Sequence, residues 1–122
     1  MFKHFEAKFF IIFSWIVFIF ILLLSPFPEL PPSEGFTIQD KVVHFFLFGI
    51  LAFLLNWGSR EFRKNRELFL DLTIFLSGSF YVFLTEYLQS FVPGRTPNEW
   101  DMVAGILGLI IGLLLANNSL DK

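Results

Sequence analysis

The 122-residue chain is predicted to be all-α, a bundle of four membrane-spanning helices, and three observations carry that prediction. Hydrophobic residues make up 55% of it and charged ones only 16%, with a mean hydropathy of +0.66. Soluble domains carry about a quarter charged residues, so this chain is short of solvating surface. Its 19 Phe residues are interleaved with Leu and Ile, the types that partition best into lipid. Four such apolar runs follow one another, where a soluble chain of this length could hide only one.

The first span covers residues 9–25, preceded by Lys3, His4 and Lys8 and closed by Ser25-Pro26-Phe27-Pro28. As a helix, Phe9 to Leu24 would measure roughly 24 Å, so its flanks must help cross a ~30 Å hydrocarbon core. A secretory signal peptide shares the basic-then-apolar pattern. The density of Phe and Trp and the lack of a small-x-small cleavage site favour an uncleaved span. For the second span, residues 38–57, Thr37 is the expected N-cap and Gly58 the stop. Asp40 and His44 then lie one turn apart on one face. Arg60, Arg63, Lys64 and Arg66 make the following loop basic, and the third span covers residues 72–92, with Pro93 just past it.

Thr96 caps the fourth span, residues 97–116, with Pro97 at the first helical position and Glu99 completing a capping box. Trp100 falls at interface depth. Asp101, Gly105, Gly108 and Gly112 share one face, so a small-residue stripe headed by a carboxylate invites a neighbouring helix to approach closely. The whole chain, 1–122, reads as a single domain. Of its nine basic residues, seven (Lys3, Lys8, Arg60, Arg63, Lys64, Arg66 and Lys122) fall on one side of such a bundle, leaving Lys41 and Arg95 on the other. The positive-inside bias therefore predicts a multi-pass cell-membrane protein with both termini cytoplasmic. Asn117-Asn118-Ser119 matches a glycosylation sequon, which has no use on that side.

The absence of Cys removes disulfides, thiolate nucleophiles and Cys-ligated metals. The basic residues lack interleaved stacking aromatics, so no nucleic-acid partner is expected.

With this orientation Asp40, Lys41, His44, Glu86, Gln89, Arg95 and Asp101 all fall in or near the outer leaflet. His44 and Glu86 lie roughly 9 Å inside their helix ends and Asp101 roughly 6 Å inside, at ~1.5 Å per residue. Charges facing lipid at that depth are unfavourable, so these groups should face one another or a wet cavity. Glu86 and Gln89, at i and i+3, share a face. The inference is one outward-facing polar pocket between the second, third and fourth spans.

For any one of these residues, a polar pair locking two helices is the more frequent arrangement. The whole set, with Arg95 on a Pro-Gly loop, favours a ligand site. A metal site could draw on His44 with Asp40, Glu86 or Asp101. No His-x-x-x-His or His-Glu-x-x-His pairing supports it, so no metal and no cofactor is expected. A hydrolase or transferase could use Glu86 as base, with Arg95 and Lys41 holding a phosphate. No Ser or Cys stands in a nucleophile setting, so that chemistry would need water. A binding site for an anionic or amphiphilic lipid asks least of the chain: surface cations, polar groups below, apolar walls.

Three motifs then read as a set. Asp40-Lys41-x-x-His44-x-x-x-Phe48 opens the second span; Glu86-x-x-Gln89-x-Phe91-Val92-Pro93-Gly94-Arg95 closes the third; Asp101 and Gly108-x-x-x-Gly112 lie in the fourth. Together they resemble the VanZ-like membrane family over about Asp40 to Leu115. That family commonly carries Asn four residues after the Asp, where this chain has Gly105. The resemblance implies a small bacterial envelope protein. The family's namesake confers low-level resistance to teicoplanin, a lipid-tailed glycopeptide. Carried over by position, Asp40, Lys41, His44, Glu86, Gln89, Arg95 and Asp101 become the functional set. The leading expectation is a non-enzymatic protein that binds or modulates envelope lipids, lipid-linked precursors or lipophilic glycopeptides. The alternative is an intramembrane enzyme acting on a lipid phosphate, with Glu86 as base and His44 as acid or ligand. The third reading is a structural accessory subunit.

Overall fold

Among the described residues four α-helices follow in order: α1 (Phe2–Leu24), α2 (Ile38–Gly58), α3 (Glu67–Gln89) and α4 (Glu99–Leu120), with a 3-10 turn at Arg60–Phe62 between α2 and α3. The computed structural model describes residues 2–25, 38–93 and 98–120, with side chains described for 6–25, 41–93 and 98–120. The expected caps Thr37 and Thr96, with Pro97, lie outside the described residues. Each helix is long and apolar enough to cross a membrane. The 23 residues of α3 reach about 35 Å, more than the ~30 Å hydrocarbon core.

Four boundaries, both ends of α3 and both ends of α4, differ from those expected of the apolar runs alone. α3 starts at Glu67 rather than at 72, because Asp71 inside its first turns is held by Arg63 and two asparagines. It ends at Gln89, and the chain continues to Val92 in tighter i→i+3 bonds from Ser90, Phe91 and Val92. α4 starts at Glu99, where Asn98 acts as N-cap: its Oδ1 accepts the Trp100 N–H at 2.9 Å. α4 also runs on to Leu120, since Asn117 near its end bonds to α2 and α3.

Side-chain ties give the register. α1 runs antiparallel to α2, with Lys8 Nζ donating to the Trp57 carbonyl at 3.3 Å and Trp15 Nε1 to that of Leu47 at 2.9 Å. It runs parallel to α3, with Tyr81 donating to the Ile16 carbonyl at 2.6 Å and Gln89 Nε2 to that of Leu23 at 2.7 Å. The helices therefore alternate in direction. One end of the bundle holds the last turns of α1 and α3 with the first turns of α2 and α4. The other holds the basic turn.

α2 and α4 meet through glycines. A Cβ at Gly108 would collide with the Phe45 carbonyl oxygen, and one at Gly112 with that of Gly49. Removing those Cβ atoms lets the two backbones touch, the dispersion-driven contact that holds helices together in lipid. Ile19, Leu23, Leu47, Phe48, Leu51, Ile74, Val82 and Leu109 fill the centre. Phe9, Phe10, Phe69, Phe80 and Phe91 point outward.

Candidate functional site

Glu86 sits in the last turn of α3, a position where a lone carboxylate in apolar surroundings would have to lose its charge or find partners. It finds them on both neighbouring helices. Its Oε1 accepts the Asn98 backbone N–H at 2.6 Å, so the start of α4 is built onto this side chain. Its Oε2 lies 3.8 Å from His44 Nε2 of α2. Asp101, in the first turn of α4, accepts a hydrogen bond from Lys41 Nζ at 3.1 Å on its Oδ1. His44, Glu86 and Asp101 are 3%, 4% and 5% exposed, and one ligand-type atom from each lies within 4.8 Å of the others. α2, α3 and α4 each supply one of them.

Among the polar positions marked by the chain's pattern, the structure therefore joins Lys41, His44, Glu86 and Asp101. Gln89, also buried, turns instead to α1 and satisfies the Leu23 carbonyl in its last turn. The side chain of Asp40 and all of Arg95 lie outside the described residues. An apolar groove of about 410 Å³ is lined by Phe10, Ile11, Trp15, Phe18 and Leu54. Around the site, Phe48 lies beside His44 with ring centroids 6.5 Å apart, and Thr85 is buried with its hydroxyl bonded back to the carbonyls of Tyr81 and Val82. A Cβ at Gly105 would meet Phe48 and Val82 at 3.1 Å. The Phe48 ring fills the space an asparagine at this position would need.

The arrangement offers an ammonium, two carboxylates and an imidazole at one end of an apolar bundle. Such a set can hold a polar headgroup, ligate a cation or move a proton between His44 and Glu86.

A second polar network occupies the opposite end. Asn56, fully buried, donates through Nδ2 to Asp71 Oδ1 at 3.1 Å and Asn117 Oδ1 at 2.9 Å. Its Oδ1 accepts from the Arg60 guanidinium, Nε at 2.9 Å and Nη2 in closer contact. Arg60 Nη2 also reaches Asn117 Oδ1 at 3.0 Å and the Ala116 carbonyl at 3.3 Å. Asn117 Nδ2 donates to Asp71 Oδ2 at 2.9 Å, and Arg63, only 4% exposed, lies 2.7 Å from Asp71 Oδ1 through Nη2. The sequence pattern marks Arg60 and Arg63 as a topology signal and Asn117 as part of a sequon, and gives Asn56 and Asp71 no role. The available signal was depth: an asparagine closing α2, an aspartate opening α3 and an asparagine closing α4 fall at one level.

An uncharacterised protein of the fission yeast Schizosaccharomyces pombe is 36% identical over 99 residues, covering 81% of this chain and 59% of that protein. The chain thus spans under two thirds of that relative's length. No solved structure matches. The VanZ/LLP1 family matches residues 4–120, nearly the whole chain. The chain belongs to the VanZ/LLP1 family.

Proposed function

We propose that this protein is a non-enzymatic, multi-pass protein of the cell membrane that takes the polar head of a membrane lipid at the Lys41–His44–Glu86–Asp101 site. The observation that supports it most is the convergence of three ionisable side chains from three helices, each at least 95% buried, beside an ammonium. Burying such groups costs several kcal/mol each in apolar surroundings, and a ligand that bonds them offsets that cost. Lys41, with Arg95 on the connection between α3 and α4, supplies cations for a phosphate, and the exposed Phe and Leu of the bundle meet the acyl chains. A relative in a yeast, which has no peptidoglycan, favours a phospholipid over a lipid-linked wall precursor or a lipophilic glycopeptide such as teicoplanin. In this reading both termini and the basic turn are cytoplasmic and the site opens to the other leaflet.

The test is thermal unfolding of the full chain in detergent with phosphatidylglycerol, phosphatidylcholine, teicoplanin or inorganic phosphate. Anionic lipid at about a hundred times its Kd should add about 2.7 kcal/mol of stability, seen as a rise of several degrees in Tm. Arg95→Ala and Lys41→Ala should abolish the rise, and added salt should shrink it. A wild type that no lipid shifts rejects the reading.

The 3.8 Å approach of His44 to Glu86 favours a second reading, an intramembrane hydrolase or transferase on a lipid phosphate. Glu86 would serve as base toward water and His44 as acid. It requires turnover of a phosphorylated lipid that Glu86→Gln abolishes; substrate left intact in a prolonged incubation rules it out.

A further inference from the structure

The geometry points to a divalent-cation site formed by His44 of α2, Glu86 of α3 and Asp101 of α4, of the class that takes Zn²⁺ or Mn²⁺. The three ligand-type atoms already lie within 4.8 Å of one another. Nitrogen and oxygen ligands bound tetrahedrally at about 2.1 Å sit about 3.4 Å apart, so modest side-chain shifts would close the site on an ion. A mixed imidazole and carboxylate set suits borderline transition metals better than Mg²⁺ or Ca²⁺, which take oxygen.

Two further observations support it. First, each carboxylate has one oxygen held from outside the triad. Asn98 N–H binds Glu86 Oε1, while Oε2 is the atom that faces His44; Lys41 Nζ binds Asp101 Oδ1. Outer partners of this kind orient metal-ligating carboxylates. Second, the carboxyl groups outnumber the ammonium: among the described residues of the site Glu86 and Asp101, both at least 95% buried, gather with Lys41 at one end of an apolar bundle. A divalent ion held by the three ligands would keep an open coordination position, which a phosphate oxygen can fill. That last step rests on the headgroup reading above, whereas the ion site itself does not.

The test uses the full chain, purified in detergent, stripped with a chelator and titrated calorimetrically with Zn²⁺, Mn²⁺ and Mg²⁺. One Zn²⁺ or Mn²⁺ should bind per chain, with Mg²⁺ about tenfold weaker or worse. His44→Gln, Glu86→Gln and Asp101→Asn should each weaken binding at least about tenfold, a loss that outer-shell changes alone can reach. Glu61→Gln, on an exposed carboxylate at the other end of the bundle, should bind like wild type. Should the ligand variants fail to fold, X-ray absorption at the zinc edge of wild type decides instead: one nitrogen and carboxylate oxygens are expected, and a shell of oxygen alone overturns the site. Equal affinity in wild type and the three variants, or no stoichiometric ion, overturns it as well. If the ion binds as described but anionic lipid leaves the loaded protein's Tm unchanged, the metal site stands and the headgroup reading falls. If lipid raises Tm while no ion binds, the reverse holds.

Discussion

Asp71 has a different burden from Glu86, although both are carboxylates inside α3. Asp71 answers Arg63, Asn56 and Asn117 and so joins the basic turn to three helices. Glu86 receives one backbone N–H and stands near an imidazole beyond hydrogen-bond distance. Asp71→Asn should therefore cost about 1–3 kcal/mol, because it removes the counter-charge of a buried guanidinium, and Asn56→Ala should cost a similar amount. Both are read as a lower Tm in detergent with no change in any lipid-induced shift. The polar set at the Glu86 end was visible in the chain because its members sit in recognisable motifs. The Asp71 end was not, because single asparagines and a loop arginine have no spacing rule; only their common depth connects them.

The pairing of α2 with α4 rests on backbone contact, and the cost of a side chain there depends on what it strikes. At Gly108 and Gly112 an added methyl meets a rigid carbonyl of α2, whereas at Gly78 it meets the movable end of Leu109. Gly108→Ala and Gly112→Ala should each destabilise by about 1–3 kcal/mol as the helices are forced apart, and Gly78→Ala by clearly less. Thermal unfolding of the three variants checks the order; equal effects would mean that α2 and α4 do not touch through glycine. The stripe itself was readable from its spacing in the chain. Its partner was not, since a small face accepts any helix, and α4 is tied to α2 by side chains at both ends, Lys41 to Asp101 and Asn56 to Asn117.

Taken together, the four helices make a bundle with a polar network at each end and apolar side chains between. Because the chain has no Cys, single-cysteine variants can report its orientation directly. With the basic turn cytoplasmic, Lys64→Cys should react with an impermeant maleimide only after permeabilisation, and Ser33→Cys in intact cells; the opposite labelling reverses the proposed topology. The number of helices and their apolar character followed from composition and run length, because a ~30 Å apolar core demands about 20 apolar residues whatever the fold. Family membership followed from short motifs. Helix ends did not follow: Asp71 and Asn117 look too polar for a span until partners on other helices satisfy them. Nor did the division of the polar residues, Gln89 going to α1 while His44, Glu86 and Asp101 meet. Hydropathy is a property of a segment and is written in its residues; which charge meets which depends on helix direction, rotation and approach, and those exist only once the helices have packed.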